Sequence, residues 1–283
     1  MNSRTLTKSR TSPTSDAGLD IFRPLPGPIA VRDAQELMTY PFFALGKSKR
    51  TVPIGFKAGE VEIRVEGTAE HGIATIWDAD ILIWTTSQIV EARDAGLPTS
   101  RRVAATPREI LKFIRRGTSV RDYQRLRAAL DRLQSTSVST SIRRTVTRRL
   151  HRFSWINEWK ELASGSGAPL GIELILPDWF YSAITDPSRI LTIDPAYFGL
   201  TGGIERWLYR LARKHVGSQP RGWRFDFPFL HRKSGSLARV SDFAVDLRRI
   251  ADRQSIPGYS IVLLRGSHIE SLLLHPRAVG GTR

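Results

Sequence analysis

Apolar residues recur along this chain at two periods. From Glu60 to Glu66 they alternate, Val61, Ile63 and Val65 against Glu62, Arg64 and Glu66, the pattern of a half-buried strand. Thr75-Ile76-Trp77-Asp78 then opens a helix, with Thr75 as N-cap and Asp78 in a looser version of the capping box. This helix runs through Ile81, Leu82, Trp84 and Ile89 and stops near Gly96-Leu97-Pro98. A second helix follows Thr106-Pro107, carries Ile110, Leu111 and Ile114, and ends at Gly117. Proline suits its first turn, where the missing N–H would have no partner anyway. A third helix begins after Ser119 and runs to about Gln134. Tyr123, Leu126, Leu130 and Leu133 share one face, and Arg121, Arg125 and Arg132 the opposite one. Ser135 to Ile142 and Phe153 to Trp159 read as paired strands. The basic run Arg143 to Arg149 between them takes the position of a wing tip.

The second half repeats the plan. Ile172 to Leu176 and Ile190 to Ile193 read as strands, Pro177 to Ala183 as a helical turn, and Gly203 to Val216 as a helix. That helix buries aromatic residues and is expected to present Arg206, Arg210, Arg213 and Lys214. Phe227 to Lys233 is a short helix, Ser234-Gly235-Ser236 a turn, and Ser241 to Arg253 a longer helix. Gly258 to Leu264 and Ile269 to Leu274 form a hairpin across Arg265-Gly266-Ser267. Helix, turn, helix and hairpin is the order of a winged-helix unit. The expected fold class is α+β: two tandem winged-helix (helix-turn-helix) domains with small β-hairpin wings, over residues 40–168 and 169–283. Residues 1–39 are polar and then Pro/Gly-rich, and read as a disordered N-terminal arm, because such a composition buries too little apolar surface to offset ordering. Tyr40 to Leu45 is apolar enough to dock on the first domain. Ala163 to Gly167 is a flexible breaker, either a loop between strands or part of the junction.

Charge narrows the function. The 283 residues carry a formal net charge of +16, a field that recruits nucleic acid or acidic membrane. Arg101 to Lys160 holds about four times as many cations as carboxylates, which suits phosphates and carries little sequence information. No cysteine is present, so disulfides and thiolate metal sites are excluded. No apolar run approaches the roughly 18 residues of a membrane span, and no hydrophobic signal core precedes the arm. A bacterial cytoplasmic protein, with no membrane partner, is expected.

Enzymatic motifs fail in turn. Ala44-Leu45-Gly46-Lys47-Ser48 ends like a P-loop, but Pro41 stands where the first glycine belongs. Gly165-Ser166-Gly167 lacks the spacing of a nucleophile elbow. His71, His151, His215, His231, His268 and His275 form no close ligand pair. Tyr209 and Tyr259 are chemically able to attack a phosphodiester, but the histidine pair of a rolling-circle nickase is missing, and Trp207 and Tyr209 read as core or interface aromatics. No catalytic, metal or cofactor residue is assigned, and an enzyme is not expected.

The helix from Ser241 to Arg253 turns Phe243, Leu247 and Ile250 to the core, with Val245, Arg249 and Arg253 away from it and Arg248 near the edge. A helix presenting Arg after a tight turn can enter the major groove, where Arg pairs bidentately with guanine. The competing reading is an ordinary amphipathic helix with a solvated face. The flanking basic residues favour DNA, giving a candidate DNA-binding set of Arg121, Arg125, Arg132, Arg143, Arg144, Arg148, Arg149, Arg232, Lys233, Arg239, Arg248, Arg249, Arg253 and Arg265. In this set the first unit grips backbone and the second reads bases.

Three long segments, Ile76 to Trp84 (IWDADILIW), Tyr123 to Ile142 (YQRLRAALDRLQSTSVSTSI) and Leu191 to Gly217, carry a likeness reinforced by the HRKSGS turn and the DLRRIAD helix. They resemble the plasmid replication initiator protein A family of alphaproteobacterial and related plasmids, over about Tyr40 to Pro276. The resemblance implies tandem winged-helix domains that bind repeated sites (iterons) at a plasmid origin as double-stranded DNA. It implies opening of an adjacent A·T-rich region, recruitment of the host replicative helicase or its loader, copy control, and repression of the protein's own promoter. It implies nucleoid or plasmid association, and a monomer–dimer equilibrium through the first domain, for which Phe42, Phe43 and Trp84 are exposed apolar candidates. The arginines named above come from helical phase and not from the family. The alternatives are a winged-helix transcriptional repressor without initiator activity and, less favoured, a Tyr-nucleophile nuclease or recombinase.

Overall fold

In the computed structural model, residues 20–143, 150–163, 165, 169–217, 219–266 and 269–277 are described. The chain enters through β1 (Ile21–Phe22), β2 (Arg32–Ala34) and α1 (Gln35–Thr39), followed by β3 (Ile54–Ala58) and β4 (Val61–Glu66). Then come α2 (Ala79–Asp94), β5 (Arg102–Ala105), α3 (Pro107–Phe113), α4 (Val120–Ser135), β6 (Ser137–Thr140), β7 (His151–Ser154) and β8 (Glu158–Ala163). The second half holds β9 (Pro169–Ile175), α5 (Asp178–Ile184), β10 (Ile190–Thr192), α6 (Gly203–His215), β11 (Trp223–Asp226), α7 (Phe227–Ser234), α8 (Val240–Arg253), β12 (Tyr259–Arg265) and β13 (Glu270–Pro276). The strands form sheets in the orders β3-β4-β6-β7, β1-β5-β9-β8, β10-β2 and β11-β13-β12. This is a mixed α+β fold. Each half contains a short helix, a turn, a longer helix and a hairpin: α3, α4, β6 and β7, then α7, α8, β12 and β13.

Local sequence explains the helix ends. Thr106 and Glu109 close a full capping box on α3, with Pro107 in the first turn, and Ser119 and Asp122 close another on α4. The α2 start differs from the expected Thr75 cap: the helix begins at Ala79, and the Asp78 carboxylate instead accepts the Thr75 N–H at 2.7 Å. α2 is buried nearly all round, including Thr85, Thr86, Ser87 and Gln88. The Thr85 and Ser87 hydroxyls donate back to the carbonyls of Ile81 and Ile83.

That buried polar face orders the N-terminal segment. Gln88 Oε1 accepts from the Leu25 N–H at 2.9 Å and Ser87 Oγ from the Arg32 N–H at 2.8 Å. β2 pairs with β10, and Phe22, Val31, Leu37 and Met38 enter the core. The expectation of disorder as far as residue 39 therefore fails from Asp20 onward; residues 1–19 lie outside the described residues. A domain border after residue 168 is likewise corrected. β9 pairs with both β5 and β8, so that border falls within one sheet and Gly165 lies between its strands. Phe42, Phe43 and Trp84 are core residues, not an exposed apolar surface. Phe42 and Phe43 pack on Trp155, the former edge-on and the latter stacked.

α6 holds the halves together. Trp207, Leu208, Tyr209 and Leu211 are buried, as the pattern predicts, but so are Arg206 and Arg210, each no more than 2% exposed. Arg206 Nη1 meets Asp80 of α2 at 2.7 Å and donates through Nε and Nη2 to the carbonyls of Leu200 and Phe198. Arg116 approaches the same Asp80 at 3.2 Å. Arg210 holds Asp33 of β2 bidentately, at 2.7 and 3.1 Å. A guanidinium is tolerated without water only where carboxylates and carbonyls take its protons.

Asp33→Ala leaves the Arg210 guanidinium buried and uncompensated, and is expected to cost about 3–5 kcal/mol in urea unfolding, whereas Asp33→Leu with Arg210→Met recovers most of it. A single-variant loss below about 1 kcal/mol would show that the pair contributes little. A second expectation concerns acid. His215, at the end of α6, lies against Trp223 and Phe225 at 5.9 and 5.8 Å. Burial, with the charges of Lys233 and Lys214, pushes its imidazole down to about 4. An unfolded histidine protonates near 6.5, as is usual, so the unfolded chain takes the proton first. Stability from this group is present above that pH and lost as pH falls toward 4. His215→Phe is expected to flatten the decline of the urea midpoint across that window; identical declines would rule the assignment out.

Candidate nucleic-acid interface

The second helix–turn–helix is built around Gly235. It ends α7 at φ +64°, the left-handed conformation that favours glycine. A Cβ there would lie 2.9 Å from Ile54 and 3.0 Å from Pro41, so the turn also presses directly on the first half. Ser234 Oγ donates to the His231 carbonyl at 2.7 Å and accepts the Ser236 N–H at 3.1 Å, and Ser236 Oγ accepts the Ala238 N–H. His231 Nε2 lies 2.7 Å from the Ala238 carbonyl. A carbonyl only accepts, so the proton sits on Nε2.

α8 then buries Phe243, Ala244, Leu247, Ile250 and Ala251 and exposes Ser241, Asp242, Val245, Arg249, Asp252 and Arg253. The predicted faces of this helix hold. Arg249 is open, touching only Asp246 at 3.4 Å. Arg239 precedes the helix, Arg232 sits on α7 and Arg265 ends β12, and all three are exposed. Arg248 differs: it is strapped to Glu270 of β13, with one contact at 3.2 Å and a second, shorter one. Lys233 is corrected outright. It is buried, with its ammonium 5.0 Å from the Tyr40 ring and 5.5 Å from Phe56, and burial pushes its pKa down. It joins the halves and does not face solvent.

In the first unit α4 buries Leu126, Ala129, Leu130 and Leu133, and leaves Arg121 and Arg125 exposed. Arg132, expected on the same open face, instead grips Asp78 bidentately at 2.8 and 2.7 Å, tying α4 to the start of α2. Arg143 is not a wing tip. Its guanidinium lies 3.9 Å over the Trp179 ring, donates to Ser182 Oγ at 3.0 Å, and approaches Glu36 at 3.5 Å. Burial brings it down to about 10. Arg144, Arg148 and Arg149 lie outside the described residues. Of the predicted set, the described cations that face solvent are therefore Arg121 and Arg125 in one unit, and Arg232, Arg239, Arg249, Arg253 and Arg265 in the other.

Tyr209 and Tyr259 are buried, and burial pushes both phenols up. Tyr209 Oη is already taken by the Asp194 N–H at 2.6 Å. Neither is placed to attack a phosphodiester. Among the described residues no His, Cys, Asp and Glu group could hold a metal ion, and no helix is long and apolar enough to cross a membrane.

Comparison with known proteins places this arrangement among relatives. The family described as Replication initiator protein A matches residues 32–261. A relative from Wigglesworthia glossinidia brevipalpis, described as "Putative replication protein", is 33% identical over 228 residues, covering 79% of this chain and 82% of that protein. Two crystal structures of domains 2 and 3 of RctB are similar in fold. One, of selenomethionine derivatives, gives a TM-score of 0.61 at 13% identity, covering 83% of this chain and 95% of that one. The other gives 0.55 at 12%, covering 86% and 97%. At such identities the likeness shows a shared fold.

Proposed function

The chain belongs to the replication initiator protein A family, and from that premise we propose that it is a plasmid replication initiator that binds repeated origin sites as duplex DNA. The observation that carries this reading is the repeated helix–turn–helix and hairpin, with exposed arginines on the second helix of each unit. Both units are read as winged helices, with β6–β7 and β12–β13 as wings. The first grips backbone and supports dimerisation; the second discriminates bases through α8. Binding energy, not bond chemistry, drives the function. Arg and Lys displace counterions from phosphates, and several bound copies share the cost of bending and melting an A·T-rich segment.

The same surface, on the protein's own promoter, represses transcription, and the assembled complex recruits the host helicase or its loader. The protein thus acts in the bacterial cytoplasm on plasmid DNA. A monomer–dimer equilibrium fits copy control, but its surface is not Phe42, Phe43 or Trp84, which are core.

Footprinting on the DNA flanking the gene tests the reading. Regularly spaced protections are expected; one palindrome over the promoter would favour a plain repressor, and nicks or covalent adducts a nuclease. Arg249→Ala is expected to weaken the specific site by roughly 1–3 kcal/mol, with little change on random duplex. Equal losses on both would assign Arg249 to phosphate alone.

A further inference from the structure

Lys47 to Arg50 run between the two helix–turn–helix units and touch both. Lys47 and Lys49 line a cleft of about 720 Å³ together with Arg115 and Arg116, after α3, and Arg125 of α4. Arg50 reaches the other way: its Nη1 donates to the Gly235 carbonyl, in the second unit's turn, at 2.6 Å. Its other two nitrogens donate to the carbonyls of Val52 and Pro53, so Arg50 positions the segment. Three residues of extended chain span at most about 10 Å. The cationic cleft and the second turn are therefore close neighbours on one basic surface.

The cations of this cleft are poorly matched inside the protein. Lys47 and Arg115 are exposed and have no carboxylate partner among the described residues. The Lys47 ammonium has only the Trp77 ring, at 5.4 Å. Lys49 donates to the Ala69 and Glu70 carbonyls, which leave its charge unneutralised. Arg116 shares Asp80 with Arg206, so one carboxylate serves two guanidiniums. Three of the four acids that line it are engaged, Asp78 with Arg132, Asp122 in the α4 cap and Asp131 with the Trp159 indole N–H at 3.2 Å, while Glu70 is exposed and lies 3.8 Å from His71.

Arg115 adds an independent sign. Its N–H and that of Arg116 bond back to the Lys112 and Leu111 carbonyls, the pairing of a helix end that ordinarily carries glycine. Arg115 adopts φ +55° there, and among the described residues its side chain has no ion-pair partner that would repay that strain.

We propose that Lys47, Lys49, Arg115 and Arg116 form a clamp for the phosphate backbone of duplex DNA, between the stretches met by α4 and α8. The clamp rests on the reading of this chain as a duplex binder. It grips independently of sequence and fixes the register of the two units on one repeat. The Gly46-Lys47-Ser48 run, which looks like the end of a nucleotide loop, would thus take its phosphates from DNA.

The test uses the full chain, Lys47→Ala/Lys49→Ala and Arg115→Gly, with the gene's upstream fragment and a random duplex of equal length as probes. Arg115→Gly relieves the left-handed strain, so its melting temperature is expected to equal or exceed wild type, which separates lost binding from lost folding. The slope of log affinity against log salt is expected to flatten by about 0.9 for Arg115→Gly and about 1.8 for the double lysine variant, equally on both probes. Unchanged slopes, or a loss confined to the upstream fragment, would overturn the clamp while leaving DNA binding intact. So would ATP raising the melting temperature of wild type but not of the variants, with DNA slopes unaltered. Wild type that binds neither probe would instead sink the initiator reading on which the clamp rests.

Discussion

Two buried ion-pair centres on α6 fix the arrangement of everything else. Arg206 reaches Asp80 across 126 residues of sequence, and Arg210 reaches Asp33 across 177. Apolar packing alone tolerates small slides between layers, because dispersion and burial are weakly directional. A bidentate guanidinium–carboxylate pair permits only a narrow range of geometries. Removing two ions from water is costly, so the pairs add little net stability beside a well-packed apolar alternative. What they contribute is a defined position of α6 against α2 and β2, and through it of one helix–turn–helix against the other. On the proposed reading, in which the two units meet two segments of one duplex, that spacing is the functional quantity.

The same pairs change how the charge of +16 should be understood. Arg50, Arg132, Arg143, Arg206, Arg210 and Lys233 are all turned inward, onto carbonyls, carboxylates or aromatic rings. The surface that remains for a polyanion is narrower than the composition suggests. It includes exposed cations on α3 and after it, on α4, on α8 and the turn before it, and on the segment between the units. Long cationic side chains serve both purposes because the methylene stem packs while the head finds partners.

Features set by near neighbours were legible in the sequence. The capping residues of α3 and α4, the alternation of β4, the buried stripe of α4 and the faces of α8 all follow from spacing within one or two turns. Features set by distant partners were not. Helical phase shows which side of α6 is opposite the aromatics, but not that Asp80 and Asp33 await Arg206 and Arg210 there. Composition marks residues 20–39 as polar and Pro-rich, but not that Ser87 and Gln88 of a buried helix would satisfy their backbone. β11 went unread because Trp223–Asp226 becomes a strand only by pairing with β13. The family was legible because its long segments include IWDADILIW, which carries Asp78 and Asp80, and Leu191 to Gly217, which carries Arg206 and Arg210. Those segments are distinctive for the interior they build, and they say less about the surface residues that would meet a partner.

The junction also constrains any exchange between monomer and dimer. Gly235 is wedged against Pro41 and Ile54, Arg50 holds its carbonyl, and Lys233 lies among Tyr40, Phe56 and Phe229 from both halves. Rotating one unit against the other would open these contacts and strain the Asp33 and Asp80 pairs, at several kcal/mol for each ion that lost its partner while still buried. An exchange that keeps the junction shut avoids that cost. Its balance can then be set by ligand alone, since DNA shifts a population only by the difference in its affinity for the two states. On the proposed reading, a rigid pair of units that associated through surfaces away from α6 would make DNA binding the stronger lever on assembly.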